Sequence, residues 1–235
     1  MRPTVLLFDI DGTLVTTGGA GGRAIRRAFE TLHGRADACT FRFDGMTDRA
    51  IVRQGLLNVG APADPAAIDA VLEAYLEVLA EEVAQADAAK YRLHPGMERA
   101  VGEALSREGF AVGLGTGNIK EGARIKLERV GIYERFAFGG FGCDHEDRTE
   151  LIRAGAQRGA DRLGAPLADC RVVVVGDTPK DVLAAKGIGA QCLGVGTGAF
   201  TAEALREVGA ELSVADLSAP GAIAWLLGEG AANAV

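Results

Sequence analysis

The sequence has no run of lysine or arginine, and its 25 basic against 32 acidic residues leave a formal charge of -7. A phosphate backbone calls for a basic face, so nucleic acid is not an expected partner. Phosphate on a small molecule stays compatible with that balance, because a divalent cation can supply positive charge locally. Cysteine is scarce: Cys39, Cys143, Cys170 and Cys192 are widely spaced and form neither a C-x-x-C pair nor a zinc-like cluster. They read as reduced thiols whose main task is packing. No window suits a membrane span. The short "TVLLF" after Met1 and Arg2 runs straight into acids, which does not fit a signal peptide. These absences point to a cytoplasmic protein. Its 235 residues allow one generous domain or a core carrying a smaller insert.

What the chain does have is a series of short apolar runs ending in Gly, Asp or Thr: "TVLLFDIDGT", "FAVGLGTGN", "RFAFGG", "RVVVVGDTP" and "QCLGVGTG". Such runs without alternation read as strands buried on both faces. Helical spacing between the later ones, over Lys120 to Val130, Thr149 to Leu163 and Pro179 to Lys186, ends at Gly131, Gly164 and Gly187. The expected class is therefore α/β, a doubly wound parallel sheet with helices on both faces.

Between Val15 and about Leu93 no strand-like run occurs. Helical patterns cover Gly22 to His33, Asp48 to Val59 and Pro65 to Ala89. This reads as an all-helical insert over residues 16–93, set into a core of residues 1–15 and 94–235. "TTGGAGG" from Thr16 to Gly22 looks like a flexible hinge, and "RLHPGM" around Pro95 like the return to the core.

Three expected strand ends carry reactive groups, and open parallel sheets bind ligands at that edge. After the first strand come Asp9, Asp11, Gly12 and Thr13; a turn and a cation-binding pair are both open readings. After the second, Thr116, Gly117 and Asn118 offer a hydroxyl and backbone N–H groups to an anion, or simply cap a helix. The third is "GDTPKD". Asp181 alone is explained as a helix-dipole partner, but Asp177 beside it adds a repulsion that a bound cation would relieve.

In that order, D-x-D-G-T, T-G-N and G-D-x-x-x-D resemble the haloacid dehalogenase superfamily, and within it the phosphoglycolate-phosphatase-like phosphohydrolases. The likeness covers nearly the whole chain, the insert matching the family's helical cap. It implies a Rossmann-like core and a Mg2+-dependent phosphatase acting on a small phosphorylated metabolite, as a monomer or homodimer. By the same resemblance Asp9 is the nucleophile and forms an aspartyl-phosphate. Asp11 is the general acid and base and lends its backbone carbonyl to the metal. Asp177 and Asp181 complete the metal set, while Thr116, Thr13, Gly117 and Asn118 hold the phosphoryl oxygens. The family usually has a lysine before the last motif. The corresponding stretch here, "GCDHEDRTELIRAG", offers Arg148, with Lys120 and Lys126 as fallbacks.

Asp11 argues against a dehalogenase, which lacks that acid. The absence of lysine before Lys90 argues against a phosphonate hydrolase using a cap Schiff base. A β-phosphoglucomutase-like sugar phosphomutase stays open, because it needs both aspartates. A non-catalytic phospho-ligand-binding or scaffold protein predicts loss of an acidic position, and none is lost. In the insert, Thr47, Arg23 and Arg49 are candidate substrate contacts, with helix capping the competing reading for Thr47 and surface charge for the arginines. Asp48 reads more simply as a helix cap.

Overall fold

In the computed structural model, which describes residues 2–229, the chain opens with strand β1 (Thr4–Phe8) and the short β2 (Val15–Thr17). Helices α1 (Ala20–His33), α2 (Asp48–Asn58) and α3 (Pro65–Ala84) follow, then β3 (Tyr91–Leu93) and α4 (Met97–Leu105). From there strand and helix alternate: β4 (Phe110–Gly115), α5 (Lys120–Glu128), β5 (Gly139–Gly140), α6 (Arg148–Arg162) and β6 (Arg171–Gly176). The chain closes with α7 (Pro179–Gly187), β7 (Gln191–Val195), α8 (Ala202–Val208), β8 (Leu212–Val214) and α9 (Ala222–Leu226).

Six strands form one parallel sheet in the order β5-β4-β1-β6-β7-β8. Alternation along β1 shows why it sits at the centre. Leu6 and Phe8 face one layer with Met97, Val101 and Leu127, while Val5 and Leu7 face the other with Leu151, Ile152 and Val182. Neither face of β1 meets water, hence its unbroken apolar run. Each such fully buried aliphatic side chain contributes about 2 kcal/mol from burial. The strand order reverses about β1, so the ends of β1, β4 and β6 meet at one crevice.

The three insert helices pack on one another through their own apolar cluster, which includes Ile25, Phe29, Leu56, Ile68, Tyr75 and Leu79. Two expectations about this region need correction. Val15–Thr17 and Tyr91–Leu93 are strands and pair antiparallel, Val15 against Leu93 and Thr17 against Tyr91. The supposed flexible hinge from Thr16 to Gly22 is thus strand at Thr16 and Thr17 and helix from Ala20 on, and only Gly18 and Gly19 turn the chain with positive φ. Two- and three-residue edge ribbons bury too little to leave an apolar pattern, which is why they escape a reading by hydrophobic runs. β8, α4, α8 and α9 were likewise unmarked, and α3 stops at Ala84 instead of running to Ala89. Helix α7 includes Gly187, and the positive φ after it falls at Gly189. All four cysteines are free. Three are buried as packing residues, whereas Cys143 is exposed. Among the described residues no helix is long and apolar enough to cross a membrane.

Helix α6 approaches the sheet edge unusually closely, through a glycine contact. A Cβ at Gly140 would lie 1.8 Å from the Leu151 carbonyl oxygen, and one at Gly155 would lie 2.7 Å from the Gly140 nitrogen. Backbone cannot yield as a side-chain tip can, so Gly140→Ala should lower stability by about 3 kcal/mol. Urea unfolding at unchanged m-value measures it; a midpoint equal to that of the native sequence would show that α6 can be displaced without penalty.

Candidate active site

Asp9 is the first residue past β1. Its N–H donates to the Val175 carbonyl at 2.9 Å, which fixes its carboxylate over the sheet edge. The chain then turns at Gly12, whose φ is 80° and where a Cβ would come within 2.4 Å of Asp177 Oδ2. Only glycine tolerates both the backbone and the approach. Asp177 follows β6, and the Thr13 hydroxyl donates to its Oδ1 at 2.9 Å. Thr13 is wholly buried and does not line the cavity, so its contact is with Asp177.

Asp9, Asp177 and Asp181 are all buried, and one oxygen from each lies within 4.8 Å of the other two. Burial pushes the Asp177 carboxyl up to about 8, with the charges of Asp181 and Asp9 adding to the rise. Burial also lifts Asp9 to about 6, against the opposing pull of Arg148. Asp9 and Asp177, which resist ionising, form with the adjacent Asp181 a hard-oxygen donor set suited to a divalent cation such as Mg2+. The residues present therefore fit such an ion.

Arg148 is the first residue of α6, a helix started by Asp147, which accepts the N–H groups of Thr149 and Glu150 at 2.7 and 3.3 Å. Its Nη2 reaches Asp9 Oδ2 at 3.0 Å, and its Nε and Nη2 donate to Asp181 Oδ1 at 2.9 and 2.6 Å. The other Asp181 oxygen accepts the Thr178 N–H at 3.0 Å and the Thr178 hydroxyl at 2.8 Å. Asp181 thus holds Arg148 and the start of α7 at once, and both its oxygens are fully engaged.

At the end of β4, Thr116 Oγ1 accepts the Asn118 N–H at 3.3 Å and the Asn118 side-chain amide at 2.9 Å. Thr116 is buried behind the cavity wall, whereas Gly117 and Asn118 line it. The Asn118 amide also donates to Asp11 Oδ2 at 2.8 Å. Lys126, two turns into α5 and almost wholly buried, donates to the same Asp11 oxygen at 2.7 Å and to Asn118 Oδ1 at 2.6 Å. Burial pulls the Asp11 carboxyl up, but Lys126, Asn118 and Thr17 outweigh it and hold the group below its ordinary range. The Asp11 side chain remains 42% exposed and faces the cavity.

That cavity, about 420 Å3, is walled on one side by these core residues and on the other by Ile25, Phe43, Met46, Asp48 and Tyr75 of the insert. The insert is drawn onto the core by the Asp48 N–H donating to the Gly117 carbonyl at 2.8 Å and by Asp48 Oδ2 accepting the Ile119 N–H at 2.9 Å. An Arg53–Glu146 ion pair at 2.9 Å adds to this. Thr47 caps α2 through the Ala50 N–H at 3.2 Å and donates to the Glu146 carbonyl at 3.1 Å. Arg23 is paired with Glu82 at 2.6 Å and Arg49 with Asp69 at 2.6 Å. None of these three lines the cavity, and neither does Lys120, which is exposed. Asp48 and Tyr75 do line it. Tyr75 falls in the apolar stripe of α3 with Ile68, Leu72 and Leu79, and a hydroxyl inside such a stripe is the one sequence signal that it needs a partner.

The chain matches the family of haloacid dehalogenase-like hydrolases over residues 3–189. None of the curated proteins matches it. Among solved structures, CbbY from Rhodobacter sphaeroides in complex with phosphate is 20% identical, with 94% of this chain and 97% of that one covered at a TM-score of 0.69. A predicted phosphatase from Clostridium acetobutylicum is 17% identical over 97% of this chain and 100% of that one, also at 0.69. A predicted phosphoglycolate phosphatase from Haemophilus somnus is 16% identical over 93% and 96%, at 0.66. At these identities the likeness is one of fold.

The raised acids give a stability profile with a definite sign. Asp9 and Asp177 bind protons more tightly folded than unfolded, so metal-free protein loses stability as pH rises from about 4 through about 6 and then about 8. The depressed Asp11 acts below that window and does not offset it. Thermal unfolding in chelator should therefore show a lower Tm at pH 8 than at pH 5, and added Mg2+ should raise Tm more at pH 8. A flat profile in chelator would mean that the acids are already compensated by Arg148.

Proposed function

The chain belongs to the haloacid dehalogenase-like hydrolases, and from that premise we propose that it is a Mg2+-dependent phosphatase of small phosphorylated metabolites, working through an aspartyl-phosphate. The observation that carries the reading is the buried triad of Asp9, Asp177 and Asp181 beside a cavity that also exposes a second, separately held acid, Asp11. We assign residues 1–15 and 94–235 to the core and 16–93 to a cap hinged on the β2–β3 ribbon. The phosphoglycolate-phosphatase-like subgroup is our assignment from the ordered motifs. CbbY binding phosphate, and in another crystal xylulose-1,5-bisphosphate, makes a small phosphate ester a reasonable substrate class here.

In this mechanism Asp9 attacks phosphorus while Arg148 neutralises its carboxylate and the adjacent phosphoryl oxygens. Asp9, Asp177 and the Asp11 carbonyl would hold the Mg2+, with Asp181 completing the triad as a further ligand or orienting a metal-bound water, and fixing Arg148 beside them. When bound, the ion offsets the negative charge that gathers on the phosphoryl group. Asn118 and the backbone at Gly117 receive the phosphoryl oxygens, and Thr116 orients Asn118. Asp11 gives its proton to the leaving oxygen, then takes one from the water that hydrolyses the aspartyl-phosphate. Lys126 and Asn118 hold Asp11 ionised in the empty site; the dianionic ester beside it favours the protonated form needed for the first step. The contacts of Asp48 and Arg53 with the core describe a closed cap, which excludes bulk water during transfer.

Phosphate release over a panel of metabolite esters tests this reading, with Mg2+ and with chelator. Asp9→Asn should abolish turnover, and Arg148→Ala should lower kcat about a hundredfold or more, as for loss of one electrostatic contact to a transition state. Equal release by Asp9→Asn and native protein would remove the nucleophile assignment. Interconversion of sugar phosphates with little free phosphate would instead mark a phosphomutase.

A further inference from the structure

Tyr75 is 1% exposed, yet its hydroxyl makes no hydrogen bond to any described residue, and the side chain lines the cavity. A buried phenol ordinarily finds a partner. Gly21 of α1 lies against both groups: a Cβ there would lie 3.1 Å from Lys126 Nζ and 3.9 Å from the Tyr75 hydroxyl. The ammonium and the phenol thus converge on one point of the cavity wall, and Lys126 in turn touches the Asp11 oxygen assigned to the leaving group. Asp48 lines the same wall. One of its oxygens accepts the Ile119 N–H, and the other has no hydrogen bond among the described residues.

We propose that Tyr75, Asp48 and Lys126 form a leaving-group subsite that selects phosphate esters of neutral hydroxylated alcohols over those of carboxylic acids. The inference rests on the phosphatase reading and narrows its substrate class. The charges on this wall decide against an anionic leaving group. Lys126 is already matched by Asp11, and Asp48 adds a second acid. Arg26 also lines the cavity, but outside this trio: it is exposed, its guanidinium over the Phe43 ring at 5.4 Å and bonded to the Gly22 carbonyl at 3.1 Å. A carboxylate placed between Tyr75, Asp48 and Lys126 would meet Asp11 and Asp48, with the Lys126 charge already matched. A hydroxyl suits it, accepting the free Lys126 proton or the Tyr75 proton and donating to the open Asp48 oxygen.

The test compares kcat/KM for glycerol 1-phosphate with that for propyl phosphate, which has the same carbon chain without hydroxyls. Phosphoglycolate and p-nitrophenyl phosphate serve as further substrates. The native enzyme should prefer glycerol 1-phosphate to both propyl phosphate and phosphoglycolate. Tyr75→Phe, which keeps the ring, should reduce the glycerol-to-propyl ratio about threefold to tenfold, the effect of one hydrogen bond. Asp48→Asn, which keeps an acceptor for Ile119, should reduce the same ratio. A ratio unchanged in both variants, or faster turnover of phosphoglycolate than of glycerol 1-phosphate, would overturn the subsite while release from p-nitrophenyl phosphate left the phosphatase reading standing. No release from p-nitrophenyl phosphate with Mg2+ would overturn both.

Discussion

The whole site hangs on the ion pairs of Arg148 with Asp9 and Asp181. Three carboxylates at the end of a buried sheet repel one another, and desolvation makes each costlier than it is in water. A single guanidinium, itself buried, reaches two of them with one planar fork. Its placement depends on much else: the glycine contact that lets α6 close on β5, the Asp147 cap that starts α6 at Arg148, and the Thr178 bonds that steady Asp181. Arg148 does not fully settle the charge, since burial still holds Asp177 and Asp9 above the ordinary carboxylate range. That residue of unbalanced acid is what a divalent ion would meet.

A second cation repeats the logic on the other side of the cavity. Lys126 matches Asp11 as Arg148 matches Asp9, so two acids two residues apart are held in opposite states, one raised and one lowered. Groups with separated pKa values can take separate roles in acid and base chemistry. The insert completes this arrangement by laying Tyr75 and Asp48 against the Lys126 side and the Gly45 carbonyl against Arg148 at 3.4 Å.

The alternation of apolar runs with helical spacing gave the parallel sheet and its central strands directly, because a strand buried on both faces cannot hide its composition. Elements that bury little were illegible: β2, β3 and β8 are three residues each, and pairing in the folded chain, not pattern, makes them strands. In the site, Asp9, Asp11, Asp177 and Asp181 could be read because each follows a strand end. Charge and position on the insert leave Arg23 and Arg49 open as ligand contacts or as surface charge, and in the structure both are paired with acids of α3. Local sequence carries no information on such long-range partners.

By itself, then, the sequence determined the sheet's central strands, the three helices of the insert and the acids at the sheet's edge, all of them consequences of short-range period and of glycine and proline punctuation. Tertiary structure alone decided which cation meets which acid. Arginine 148 and lysine 126 are both plausible neutralisers along the chain, and they are told apart only by where α6 and α5 come to rest. The same holds for Tyr75, a core residue by its spacing and a cavity residue by its hydroxyl, because a helix face is buried or lined only once its neighbour is in place.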